Sequence, residues 1–247
     1  MRFVLVHGGF HGAWCWERLI PELTARGHEA VAPDLPGHGE RHWETAGFDA
    51  YRETVAEVVE PGDVLVGHSM GGAVSTGAAD LVPDRVGRLV YLAGAVPIEG
   101  KPLIEALPFA AELAGLEFSE SAFWPKDLAA ATELFFHDCD VETARWAYHR
   151  LRPQSLAPFL TPVNLPNFWT AEFPRSYITC TADRSGILAS TEALLARLGL
   201  DNAHPFWASH SPFLSRPAEL ADLLVRIASE DTEPLQQNQC TTRRGTD

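Results

Sequence analysis

Gly67-His68-Ser69-Met70-Gly71 sets a serine between two glycines, directly after the apolar run DVLVG (63–67) and directly before the small-residue stretch GGAVSTGAA (71–79). On a sharp strand-to-helix turn a serine Oγ stands clear of the backbone, and neighbouring glycines let strand, turn and helix approach without Cβ clashes. The chemistry such a residue serves is acyl transfer. Serine is a weak nucleophile at neutral pH, so it needs a base in hydrogen-bond reach, an acid to orient that base, and donors for the developing oxyanion. A structural turn serine is the alternative, and the partners decide between them.

Ten histidines compete for the base. His210 follows the strand-like run HPFWA (204–208), where a parallel sheet presents its carboxyl edge and binds ligands. His68 adjoins Ser69 but would point off the turn, and His7 and His11 flank the first loop and shape it. His28, His42, His137 and His149 fall in solvated or inserted segments. For the acid, Asp183 follows the run SYITC (176–180), again at a strand's end and between serine and histidine in chain order. Glu99 is its main rival, with Asp138 and Asp140 further off in the insert. His7-Gly8-Gly9-Phe10 follows the first apolar run and brings a main-chain N–H close without a side chain in the way. The amides of Gly9 and Met70 are the expected oxyanion pair; an ordinary tight turn is the plain reading of the same glycines.

These side chains need a scaffold that gathers loops at one edge. The apolar runs FVLV (3–6), EAVA (29–32), DVLVG (63–67), RLVYLA (88–93), SYITC and HPFWA suit strands buried on both faces. They alternate with helix-like stretches, which predicts an α/β fold: a doubly wound, mostly parallel sheet of about six strands. Pro21 starts or bends a helix around Trp16–Arg26, Asp49 is the expected cap of a helix through Tyr51–Glu60, and Pro217 opens the last helix. Between Pro97 and Pro174 the gap is far longer than a crossover needs. The expected organisation is a core of 1–96 and 175–228, a helical cap of 97–174 after the fourth strand, and a disordered tail of 229–247. The cap has helix-like segments at Leu128–His137 and Val141–Leu151 and many aromatics, Phe109, Phe123, Trp124, Phe135 and Trp146 among them. Read functionally, it covers an apolar pocket walled by Phe10, His11, Phe123, Trp124, Phe135 and Trp146; read plainly, its aromatics form a small core of their own.

Composition narrows the partners. A formal charge of −14 over 247 residues repels phosphate backbones and anionic headgroups, so neither nucleic acid nor membrane is expected. The N-terminus reads as a strand, not a secretion signal, and no apolar stretch reaches the roughly twenty residues that span a bilayer; the expected location is cytoplasmic. Cys15, Cys139, Cys180 and Cys240 are scattered and read as reduced thiols, with no metal and no cofactor expected. A small apolar ester is the expected partner, and homodimerisation is left open.

FVLVHGGFHGAWCW, APDLPGHG, GHSMGG, TADRSG and SHSPFLSRP together resemble the α/β-hydrolase superfamily, in particular its small cofactor-free branch of plant methylesterases and hydroxynitrile lyases. The resemblance runs from about Phe3 to Ala228 and is loose in the cap. It implies a Ser69-Asp183-His210 triad, and it makes Asp34 and His38 mostly structural. Lyases of this branch carry threonine where this chain has Gly8 and lysine where it has Ser211. Departing cyanide is an anion that an ammonium stabilises and a serine hydroxyl does not, so the pattern favours ester hydrolysis. A serine hydrolase acting on a small to medium apolar ester, lactone or thioester is the expectation. A C–C lyase, or a hydrolase-fold ligand-binding protein with little turnover, is the alternative.

Overall fold

The computed structural model describes residues 1–106 and 115–230. Six strands, β1 (Arg2–Val6), β2 (Glu29–Val31), β3 (Asp63–His68), β4 (Val86–Leu92), β8 (Arg175–Cys180) and β9 (His204–Phe206), form one sheet in the order β2-β1-β3-β4-β8-β9. Every pairing in it is parallel. β3, at the centre of the functional edge, is buried at all six residues, as its continuous apolar run requires. The crossovers are carried by α1 (Leu19–Ala25), α2 (Phe48–Val58), α3 (Met70–Leu81) and α7 (Thr191–Leu198), and the short α8 (Pro212–Ser215) leads into α9 (Pro217–Ser229), which closes the core. The strand order reverses direction at β1, so loops after β1 and β3 diverge and leave a crevice at the carboxyl edge.

Several boundaries and segments differ from the expectation. Helix α2 starts at Phe48 behind Gly47, so Asp49 lies in its first turn and pairs with Arg52 (2.8 Å) rather than capping. The insert is not wholly helical. It contributes β5 (Leu116–Phe118), β6 (Ala122–Pro125) and β7 (Gln154–Ser155), an antiparallel three-stranded sheet, beside α4 (Leu128–Ala131), α5 (Val141–Tyr148) and α6 (Ala157–Leu160). Strands of two to four residues are too short to show a two-residue period. The helix expected over 128–137 changes at Thr132–Phe136 into a π-helical turn, a local widening often found at functional sites. Phe109 and the tail beyond Glu230 lie outside the described residues; Ser229 still belongs to α9.

Candidate active site

Ser69 stands between β3 and α3 with φ 52° and ψ −124°, a left-handed conformation that a serine adopts only under constraint. The constraint is visible in the glycines. A Cβ on Gly67 would lie 2.5 Å from the Gly71 carbonyl oxygen, one on Gly71 would lie 2.4 Å from that of Val6, and one on Gly72 would lie 2.7 Å from that of Ala95. Strand, turn and helix interlock through bare backbone, with the Ser69 carbonyl accepting from Gly72 N (2.9 Å) and Ala95 N (2.8 Å). Met70 is the first residue of α3, so its N–H is among the donors the helix leaves unpaired, at the positive end of the helix dipole.

Across the crevice, the loops after β8 and β9 carry Asp183 and His210. His210 Nδ1 lies 2.6 Å from Asp183 Oδ2, with both side chains almost wholly buried. Burial by itself would push the Asp183 carboxyl up. The facing His210 and the Ser185 hydrogen bonds outweigh it and hold the acid below its ordinary range. Asp183 Oδ1 accepts the Ser185 N–H at 2.7 Å, and Ser185 Oγ lies 3.0 Å from His210 Nδ1. With Nδ1 facing the Asp183 carboxylate, Nε2 is the nitrogen left to accept a proton.

One cavity joins the two sides. Gly9, Phe10, His11, Ser69, Met70, Ser185, Ile187 and His210 line it from the core. Leu116, Phe123, Leu134, Phe135 and Phe159 line it from the cap. Among the described residues no hydrogen bond joins Ser69 Oγ to His210; the two share a cavity wall. Such a contact commonly tightens only when substrate is bound. Of the expected pocket aromatics, Phe10, His11, Phe123 and Phe135 are in place, with Phe10 edge-on to Phe123 (5.1 Å between centroids) and Phe135 tilted against His210 (5.7 Å). Trp124 and Trp146 are not. Side chains alternate along β6, so Trp124 turns away from its neighbour Phe123 and its indole N–H bonds Glu117. Trp146 on α5 packs edge-on to Trp14 under the Arg150 guanidinium.

The cap also grips the loops that carry these side chains. Arg152 N–H donates to the Phe10 carbonyl (2.8 Å), holding Phe10 at φ 65° beside Gly9. Gln154 on β7 takes a bond from His38 Nε2 through its Oε1 (2.8 Å), and the same Oε1 would be 3.2 Å from a Cβ on Gly9. Asp138 Oδ2 accepts the Ser209 N–H next to the base (2.9 Å), and His137 Nε2 donates to the Ala182 carbonyl next to the acid (2.8 Å). Asp138 therefore braces the base loop; it does not face the His210 ring as an acid. Around the first loop His7, His11, His38 and His68 are buried, and burial drives each below its ordinary range, His11 to about 3, so all four are neutral. Asp34 accepts from the amides of Ala13 (2.6 Å) and Glu40 (2.9 Å), a structural role.

A family model described as "Alpha/beta hydrolase family" matches residues 3–223. The chain belongs to that family. As an alpha/beta hydrolase it is similar to an esterase of Oryza sativa subsp. japonica, 29% identical over 256 residues that span 92% of this chain and 96% of that one. It is equally similar to Methylesterase 18 of Arabidopsis thaliana, 29% identical over 92% of this chain and 97% of that one. Among solved structures, polyneuridine aldehyde esterase superposes with a TM-score of 0.80 at 27% identity, covering 92% of this hydrolase and 98% of that chain. An extracellular α/β-hydrolase from a Paenibacillus species reaches 0.81 at 22% identity over 93% of this chain and 100% of that one, a likeness of fold.

Proposed function

We propose that this hydrolase is a serine esterase that cleaves small to medium apolar carboxylic esters through an acyl-enzyme on Ser69. The observation that carries the reading is the buried 2.6 Å His210–Asp183 contact opening on the same cavity as a serine held in a left-handed turn. Ser69 Oγ attacks the ester carbonyl while His210 Nε2 takes its proton, and Asp183 steadies the imidazolium. The amides of Gly9 and Met70 receive the oxyanion. His210 then protonates the departing alcohol, and a water activated by the same imidazole releases the acid.

The cavity's chemistry supports the substrate class. Among the described residues that line it there is no Lys, Arg, Asp or Glu, and eight are Phe, Leu, Ile or Met. Such walls suit a neutral, apolar ester and offer no counter-ion to the carboxylate product, which favours its release. The rice and Arabidopsis relatives bear esterase names, and so does a carbendazim hydrolyzing esterase of a Nocardioides strain, 29% identical over 91% of this chain and 98% of that one. Turnover of p-nitrophenyl butyrate by the purified chain, lost in Ser69→Ala with folding intact, is the expected result. Wild-type turnover in that variant overturns the reading, and stoichiometric p-nitrophenol release without further cycles replaces it with a ligand-binding role.

A further inference from the structure

Asp183 and His210 are not alone: a third side chain touches the pair and faces the cavity. Ser185 lies two residues after the acid, and the left-handed Gly186 (φ 93°) that follows turns the chain so that Ile187 reaches the same wall. Its main-chain N–H bonds Asp183 Oδ1 at 2.7 Å, which stops the carboxylate from rotating and aims Oδ2 at the ring. Its Oγ stands 3.0 Å from His210 Nδ1, against 2.6 Å for Asp183 Oδ2. The single Nδ1 proton thus has two oxygens within reach, one anionic and one neutral. A charge-assisted bond to the carboxylate is the stronger, so the hydroxyl is the secondary acceptor.

We propose that Ser185 is a positioning residue of the catalytic machinery: its amide locks the acid, and its hydroxyl, accepting from His210 Nδ1–H beside the carboxylate, steadies the ring in the tautomer that Asp183 selects. The inference rests on the serine-esterase reading and adds to it. The carboxylate can only accept, so it fixes the proton on Nδ1 and leaves the Nε2 lone pair free for Ser69; the hydroxyl, which accepts or donates, follows that choice and holds the ring in place. Without the carboxylate a hydroxyl alone selects neither tautomer, and the base can present the wrong nitrogen.

The test is a double-mutant cycle on p-nitrophenyl butyrate hydrolysis with Ser185→Ala, Asp183→Ala and both together. Ser185→Ala alone loses about 3- to 10-fold in kcat, the size of one neutral hydrogen bond, with KM within about 2-fold. Ser185→Thr, which keeps the hydroxyl, restores kcat to within about 2-fold of wild type. In the Asp183→Ala background, where the ring is no longer fixed as Nδ1–H, the same loss of hydroxyl costs less than it does alone, so the two effects are not additive. Nitrogen-15 spectra of His210 supply a readout that loosened packing does not mimic: the Nδ1–H tautomer persists in Ser185→Ala with its Nδ1 resonance shifted from wild type, returns to the wild-type position in Ser185→Thr, and gives way to a mixture in Asp183→Ala. Wild-type kcat in Ser185→Ala, or a loss of hydroxyl that costs as much in the Asp183→Ala background as it does alone, overturns the inference. An active Ser69→Ala would overturn the esterase reading beneath it, a distinct result.

Discussion

The two sides of the crevice are built by different means. Ser69 is placed by main chain: a left-handed turn, three glycines pressed against carbonyl oxygens, and a helix that begins one residue later. Asp183 and His210 are placed through contacts in which a side chain takes at least one end: the Ser185 N–H on Asp183, the Ser185 hydroxyl on His210, Asp138 on the Ser209 N–H, and the Phe135 ring. Backbone interlocks have no slack, and a single added methyl group breaks them. Side-chain braces are graded and partly redundant, so each can be weakened in measurable steps.

Removing the proposed nucleophile gives the largest expected effect: Ser69→Ala should lower kcat/KM by at least about 10³-fold while leaving the thermal transition in place. Asp183→Asn, which offers an amide N–H where the ring needs an acceptor, should lower kcat by about 10²- to 10⁴-fold, read in the same ester assay. Gly71→Ala tests the backbone side. Its Cβ would fall 2.4 Å from the Val6 carbonyl oxygen and 2.6 Å from that of His7, and urea unfolding should show a loss of about 1–3 kcal/mol or more. If Gly71→Ala keeps wild-type stability, the contrast between the two sides collapses.

Acid sharpens it further. His7, His11, His38 and His68 have folded-state values pushed below the ordinary 6.5, so the unfolded chain binds protons there that the folded chain refuses. Stability is therefore fully present above about pH 6.5 and falls as pH drops below it, by up to about 1.4 kcal/mol per pH unit for each histidine. For His11 the loss runs on toward pH 3. Urea midpoints between pH 7.5 and 5 should decline steadily; a flat profile would contradict the burial of these rings. The smallest effect is Asp138→Ala, expected to lower kcat about 5- to 10-fold at nearly constant KM, because it frees the Ser209 N–H beside the base without touching the cavity. Asp138→Asn, still an acceptor, should recover most of the loss.

The same contrast explains what could be read in the sequence. The elbow is local, so five consecutive residues and the strand before them announce Ser69. His210 and Asp183 were legible because each follows an apolar run that ends at the sheet's carboxyl edge. Ser185 and Asp138 were not, since their partners lie 25 and 71 residues away and neither belongs to a periodic pattern. The six-stranded parallel core was legible from its apolar runs, whereas the short antiparallel sheet of the cap was not. Trp124 and Trp146 show the other limit: an aromatic in the insert is equally suited to pocket or packing, and only the pleat of β6 and the edge-on packing of α5 against Trp14 separate them.

The bond from Arg152 N–H to the Phe10 carbonyl joins cap and core without using any side chain. Evolution or a designer can therefore replace nearly every residue facing the bound ester and still keep the amide of Gly9 where it is. Deleting the insert, by contrast, would free the first loop to relax out of its left-handed kink, so the cap is a tailorable wall but not a dispensable one.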